Sequence, residues 1–181
     1  LMNSCNPMFM WLGFKLGKEN FMEYFHGFGF ADKTGIDLPG ESTSIYYEAS
    51  QMTNTDLAVY SFGQNFSITP IQMVTAAATI ANGGYLVQPY VVSQIMDSDG
   101  NIVKTAETNV KRQVISTETA KRVAKIMNRN ATEGTAKNGY VAGYRICGKT
   151  GTSEKVAKYR EEGGEAKGAV MQYIASYCGF A

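Results

Sequence analysis

Tyr144-Arg145-Ile146-Cys147-Gly148-Lys149-Thr150-Gly151-Thr152 (residues 144–152) alternates in side-chain character as a strand does. A second strand candidate, Ala169 to Ala181, follows it across a charged, glycine-rich stretch at 153–168. Such a late hairpin predicts the fold class through what comes before it, and what comes before it is helical. Residues 7–28 place Phe9, Leu12, Leu16, Phe21, Phe25 and Phe28 at helical spacing, with Gly17 as a break between two short helices. Gly29 to Thr53, rich in glycine and polar residues and marked by Asp37-Leu38-Pro39-Gly40, predicts a long surface loop. A short helix is expected from Asn54 or Thr55 to before Gly63. Thr69 caps the best-marked helix, with Pro70 as its first residue, Met73, Ala77 and Ile80 on its core face, and Gly83-Gly84 as its stop. Tyr85 to Met96 is expected to be extended, with Asp99-Gly100 as a hairpin turn. Ser116 then caps a helix carrying Ala120, Val123, Ala124 and Met127 that ends near Asn130. Helices first and a hairpin last give an α+β fold.

Composition narrows the function. The 181 residues suit one domain with a sizeable core. Lys and Arg total 17 against 16 Asp and Glu, so the net charge is +1 and no basic excess exists to neutralise phosphates; nucleic acid is not an expected partner. At 44% hydrophobic and 18% charged the chain is globular. Three cysteines, an odd number, argue against a secreted disulfide scaffold. The longest apolar stretch, Met73 to Ala81, is interrupted by Thr75 and Thr79 and falls far short of the roughly 20 residues that span a bilayer. Leu1-Met2-Asn3-Ser4 has no signal-peptide character, and the other end stops inside an apolar run, so a piece of a longer chain is expected.

Gly143 to Thr150 satisfies the phosphate-loop pattern G-x-x-x-x-G-K-[ST]. A phosphate loop needs a helix starting at the lysine, so that N–H groups face the phosphates. Here Gly151 follows at once, and Tyr144, Ile146 and Cys147 suit a strand. The same residues contain Lys149-Thr150-Gly151-Thr152, a K-T-G element that in serine acyl-transfer enzymes accompanies S-x-x-K and S-x-N or S-D-N. Ser4-Cys5-Asn6 supplies S-x-N, although a Ser and an Asn before Pro7 also suit a helix cap. A second K-T-G, Lys33-Thr34-Gly35, opens a turn-rich loop, and Lys33 is expected to be a solvated loop lysine.

These elements stand in ordered company. Ser4-Cys5-Asn6-Pro7, Gly27-Phe28-Gly29-Phe30, Lys33 to Glu41, Ser61-Phe62-Gly63-Gln64, Thr69-Pro70-Ile71-Gln72, Ala81-Asn82-Gly83-Gly84, Gly148 to Thr152 and Cys178-Gly179-Phe180-Ala181 together closely resemble class B penicillin-binding proteins, the monofunctional peptidoglycan transpeptidases. The resemblance covers essentially the whole chain. It implies residues 1–181 as a partial transpeptidase domain, from the S-x-N motif through the K-T-G strand and the strand after it. In the implied penicillin-binding-protein and serine β-lactamase-like fold, helices surround a mainly antiparallel sheet. The upstream part and the C-terminal end are expected to be missing, leaving an exposed strand edge and poor solubility.

The chemistry is expected to be incomplete. Serine acyl transfer needs a nucleophile, a base and oxyanion donors. No serine here has lysine three residues later, no G-x-S-x-G elbow exists, and the single histidine, His26, sits among aromatics in a predicted helix. By resemblance, the nucleophile lies upstream and the chain alone is inactive. The resemblance implies that the Ser4 hydroxyl bridges the nucleophile's lysine and Lys149, that Asn6 holds the substrate's amide, and that Lys149 supplies positive potential. It implies that Thr150 and Thr152 bind the terminal carboxylate of a D-alanyl stem peptide or a β-lactam, and that the Thr152 N–H is an oxyanion donor. Gly151 fits a strand that substrate approaches closely. No cofactor and no metal are implied. The expected partners are peptidoglycan stem peptides on lipid-linked glycan strands, β-lactams and a cell-wall glycosyltransferase, on the extracytoplasmic face of a bacterial membrane with an anchoring helix outside these residues. A serine β-lactamase-related hydrolase and a non-catalytic penicillin-binding sensor or scaffold are the alternatives. Cys147 and Cys178 are expected to be small buried strand residues; if they lie opposite one another across the hairpin, they form a zinc or disulfide pair instead.

Overall fold

The computed structural model describes residues 1–155, 160–161, 163 and 170–181. The chain divides into two compact units, one of residues 5–124 and one of residues 1–4 with 125–181.

In the first unit, α1 (Asn6–Leu16) places Pro7 in its opening turn, where a missing N–H costs nothing, and ends at Gly17, whose φ is 82°. α2 (Lys18–Gly27) follows directly, as the break at Gly17 predicts. α3 (Asn54–Ser61) is started by a capping box between Thr53 and Asp56, and α4 (Pro70–Ala81) by another between Thr69 and Gln72. Gly13, the buried residue of α1, lies against α3, where any side chain would strike that of Ser61. Met22 and Phe25 of α2 meet Met52, Leu57 and Tyr60 in the core, and Phe66 packs edge-on against Phe25 at a centroid distance of 5.4 Å. His26 sits half-exposed beside Glu48 at 3.2 Å, a surface role.

The 29–53 loop does more than cover the surface. Met52 is buried, and Tyr46 and Ala49 pack on the core cluster. Gln72, only 1% exposed, holds the loop to α4: its amide nitrogen donates to the Asp32 carbonyl at 2.7 Å, and its amide oxygen accepts from the Thr69 N–H at 2.7 Å. Lys33 is exposed as expected, while Thr34 is buried, its N–H and hydroxyl both donating to Glu41 at 2.6 Å.

The extended stretch predicted over Tyr85 to Met96 is broken in two. β1 (Tyr85–Val87) and β2 (Gln94–Met96) lie in different sheets; β2 pairs with β3 (Ile102–Thr105), and β1 with β4 (Val110–Gln113), a strand the sequence did not announce. Pro89 cannot donate to a ladder, and the N–H groups of Val91 and Val92 go to the Asp37 carboxylate at 2.8 and 2.9 Å instead of to a neighbouring strand. Asp97 closes the β2–β3 turn by accepting from the N–H groups of Asp99 and Asn101.

α5 (Thr117–Glu133) starts where Ser116 accepts from the Thr119 N–H at 3.1 Å, the predicted cap. It continues past the predicted end at Asn130 and so carries the chain into the second unit. There β5 (Cys147–Glu154) pairs antiparallel with β6 (Tyr173–Phe180) in unbroken register from Cys147↔Phe180 to Glu154↔Tyr173. The predicted hairpin is present. Its first strand starts at Cys147 and not Tyr144 because Gly143, at φ 88°, makes a turn there. Positions 156–159, 162 and 164–169 of the stretch between the strands, and the predicted strand start at Ala169, lie outside the described residues. Asn128 anchors the entry to β5 by donating to the Ile146 carbonyl at 2.8 Å. Ile174 and Tyr177 of β6 are exposed. The α+β class holds, and every strand pairing among the described residues is antiparallel.

Candidate active site

In an antiparallel pair, alternate residues turn their backbone groups toward the partner and away from it. On β5 the carbonyls of Gly148 and Thr150 both receive side-chain donors, from Asn130 at 2.8 Å and from Lys149 at 2.6 Å. The even positions therefore face the edge opposite β6, and Thr152 shares that edge. The strand also accounts for the phosphate-loop pattern: Gly148 and Lys149 lie within β5, and no helix begins at the lysine.

Lys149 leaves β5 on the face of Cys147 and Gly151, then turns its ammonium around the edge. Its Nζ donates to the Thr150 carbonyl and, at 2.9 Å, to the hydroxyl of Ser4. An ammonium has no lone pair, so Ser4 is the acceptor, and its own O–H remains for a different acceptor. Burial pushes the Lys149 pKa below the ordinary lysine value of 10.5. Among the described residues no carboxylate forms an ion pair with it. Ser4 itself is held at φ 46°, a conformation that costs a non-glycine residue about 1–2 kcal/mol. Its N–H donates to the Leu1 carbonyl at 3.1 Å. The capping alternative for Ser4 is corrected by this geometry: the residue before α1 is Cys5, and no side chain caps that helix.

The structure thus brings Ser4, Lys149 and Thr150 together, with the Thr150 hydroxyl 3.5 Å from Lys149 Nζ. Thr152 is exposed on the same strand edge. Gly151 pairs with Ser176, and a Cβ there would come within 2.5 Å of the Ser176 hydroxyl. Asn6 is exposed in the first turn of α1 and belongs to the other compact unit.

Cys147 and Cys178 are not opposite one another, which corrects the condition set for a zinc or disulfide pair. Cys147 pairs with Phe180 and Cys178 with Lys149. Burial pushes both thiols up, away from the thiolate that metal binding needs. Among the described residues no three His, Cys, Asp or Glu side chains cluster as metal ligands. A groove of about 590 Å³ lies in the first unit beside Asp37, Tyr90, Ile95, Lys104 and Glu107. It contains no residue of the S-x-N element or of the Lys149–Thr152 strand, and the Asp37 carboxylate is already occupied by backbone N–H groups.

Two residues at this edge escaped the sequence reading. Asn130, fully buried, holds the Gly148 carbonyl, and Thr135 places its hydroxyl 3.5 Å from that of Thr150. The available signal was an amide in a helical core stripe: Met127, Asn130 and Ala131 lie at the spacing of one buried face.

The Ser4 hydroxyl thus receives a partly desolvated lysine from the K-T-G strand, joining the S-x-N and K-T-G elements. The chain belongs to the family described as the penicillin binding protein transpeptidase domain, whose model matches residues 1–181. Stage V sporulation protein D of Bacillus subtilis (strain 168) is 42% identical over 182 residues, covering 99% of this chain and 27% of that protein. A peptidoglycan D,D-transpeptidase FtsI homolog of Mesostigma viride is 29% identical over 192 residues, covering 97% of this chain and 32% of its own length. Among solved structures, penicillin binding protein 3 of Mycobacterium tuberculosis complexed with aztreonam matches 99% of this chain and 40% of its own, with a TM-score of 0.85 at 25% identity. The chain therefore spans about a third of the length of these relatives.

Proposed function

We propose that these residues are the K-T-G side of the active site of a peptidoglycan D,D-transpeptidase, whose nucleophilic S-x-x-K serine is supplied by sequence outside the 181 residues. The Ser4–Lys149 hydrogen bond at 2.9 Å carries the proposal, because it joins the S-x-N and K-T-G elements across the chain. In the reaction the nucleophile's oxygen attacks the penultimate D-alanyl carbonyl of a stem peptide. The terminal D-alanine leaves as an amine, taking a proton relayed through the Ser4 hydroxyl. An amine of a second strand then displaces the serine and completes the crosslink.

Each group has a defined task. Lys149 provides the positive potential that keeps the nucleophile's lysine neutral and attracts an anionic substrate. Thr150 and Thr152 bind the terminal carboxylate, which β-lactams also present. The Thr152 N–H, on the edge that faces away from β6, is one oxyanion donor, worth about 3 kcal/mol by comparison with measured cases. Asn6 holds the substrate's amide side chain. Penicillin binding protein 3 of Mycobacterium tuberculosis is solved in complex with aztreonam and with ampicillin, which supports β-lactam binding here. Residues 1–181 act as part of a transpeptidase domain on the extracytoplasmic face of the membrane, alongside a glycosyltransferase that makes the glycan strands. Among the described residues no helix is long and apolar enough to cross a membrane.

Fluorescent-penicillin labelling of the reading frame extended upstream of Leu1, beside the 181-residue chain, tests this. Labelling of the extended protein alone is the expected result; a folded extended protein that takes no label overturns it.

A further inference from the structure

We infer that Asn130 is a positioning residue for the acyl-transfer site, the joint that holds Ser4 and Lys149 in register. The inference rests on the transpeptidase proposal and concerns a side chain that does not touch substrate.

Asn130 is 0% exposed in the last turn of α5, on a helical face that otherwise carries Met127 and Ala131. A polar amide in such a position stays only if its bonds are made. Its Nδ2 donates to the Gly148 carbonyl at 2.8 Å, immediately before Lys149 in β5. Its Oδ1 accepts from the Thr135 hydroxyl at 3.4 Å, and the Thr135 N–H donates to the Met2 carbonyl at 3.1 Å, two residues before Ser4. One amide therefore reaches both halves of the Ser4–Lys149 contact, directly on the lysine's side and through Thr135 on the serine's. Gly134 leaves the space for this arrangement, since a Cβ there would strike Asn130 Oδ1 and lie 3.0 Å from the Met2 carbonyl. The Gly148 carbonyl faces away from β6, so no ladder bond to β6 replaces the one from Asn130.

The function follows from the tolerances of the site. Ser4 is held at φ 46°, and nothing in its own backbone preference keeps it there. A proton relay requires hydrogen-bond contact between heavy atoms, and displacement of about 1 Å costs rates on the order of a hundredfold. Asn130 supplies the external constraint.

The experiment uses the extended protein that carries the nucleophile and measures the second-order rate of penicillin acylation across pH, together with the melting temperature. Asn130→Ala is expected to slow acylation about tenfold or more. Asn128→Ala removes a bond of the same kind at Ile146, the residue just before the same strand, with no second arm toward Ser4, and is expected to keep acylation within about twofold. Equal acylation by Asn130→Ala and the unaltered protein overturns the inference, as does an equal slowing by Asn128→Ala. Where Asn130→Ala does not fold, the isosteric Asn130→Asp decides. Its carboxylate cannot donate to the Gly148 carbonyl but its protonated form can, so the deficit should narrow as pH falls. A deficit independent of pH, or none, overturns the inference. If the unaltered extended protein is not acylated, the transpeptidase proposal itself fails and this inference falls with it; acylation of that protein with an unaffected Asn130→Ala removes the inference alone.

Discussion

Ser4 and Lys149, 145 positions apart in the chain, share a hydrogen bond of 2.9 Å in which the lysine donates and the serine accepts. That direction is fixed by the ammonium and leaves the serine's proton for another group. A hydroxyl placed this way can pass a proton on without itself becoming charged, which a carboxylate or a second lysine could not do.

Removal of the lysine should therefore separate chemistry from stability. In the extended protein, Lys149→Ala is expected to nearly abolish acylation by penicillin while moving the melting temperature by only a few degrees, since the charge it deletes is partly desolvated and unpaired by any carboxylate among the described residues. Burial lowers the Lys149 pKa from 10.5, so its proton is lost earlier on the alkaline side and the acylation rate should decline with a midpoint below that value. Lys149→Arg keeps the cation throughout this range and should lose that decline, though not regain the full rate, because a planar guanidinium does not fit a point-charge site. An identical alkaline limb in Lys149→Arg rules out this origin for it.

At Ser4, backbone and hydroxyl can be tested apart. Ser4→Ala deletes the hydroxyl but keeps the Cβ at φ 46°, so slow acylation with a modest loss of stability is expected. Ser4→Gly deletes the hydroxyl and relieves the left-handed backbone, while a glycine loses more entropy on folding by roughly 0.5–1 kcal/mol. These opposing effects should leave its melting temperature close to that of the unaltered protein, with acylation as slow as in Ser4→Ala. Normal acylation in either variant, measured by the rate of fluorescent-penicillin uptake, removes Ser4 from the relay.

Local rules in the sequence foretold most elements because their physics is local: Thr69-Pro70 and Gly83-Gly84 mark the ends of α4, and Gly17 marks the break between α1 and α2. Non-local partners could not be read. Val91 and Val92 have strand character, yet their N–H groups are taken by Asp37, more than fifty positions earlier. Asn130 looked like a helix end, since asparagine favours ends when nothing else satisfies its amide, but the Gly148 carbonyl 18 positions later supplies that need within the helix. Lys149 and Thr150 were legible from the K-T-G motif, and Ser4 from the company of S-x-N. The 2.9 Å contact and the strained backbone that serves it required the fold.

Glu41 gives the first unit an acid sensitivity with a defined sign. Burial raises its pKa, but hydrogen bonds from the Thr34 hydroxyl, the Thr34 N–H and the Gly35 N–H outweigh this and hold it below 4.5. A carboxyl lowered on folding contributes stability above its unfolded value and loses it as pH falls through the folded value. Glu41→Gln should therefore melt at a lower temperature than the unaltered protein near neutrality. The gap should close as the medium is taken below pH 4.5 and through the lowered value. A gap that stays constant across this range would show that the Thr34 and Gly35 bonds do not depend on the charge.

Gly151 has two neighbours that could demand a glycine, and they predict different behaviour for Gly151→Ala. Across the hairpin, the new methyl would come within 2.5 Å of the Ser176 hydroxyl, which belongs to an exposed serine able to turn to another rotamer. Gly151 has no left-handed φ to protect, and an alanine in a strand loses less entropy on folding by roughly 0.5–1 kcal/mol. Stability should therefore be kept. If substrate passes close along β5, the same methyl should slow acylation of the extended protein markedly, with the melting temperature unchanged. A variant that acylates at the normal rate would show that β5 tolerates a side chain there and that Gly151 does not serve substrate approach. A variant that melts early and is rescued by Ser176→Gly, in both stability and rate, would assign the glycine to packing across the hairpin.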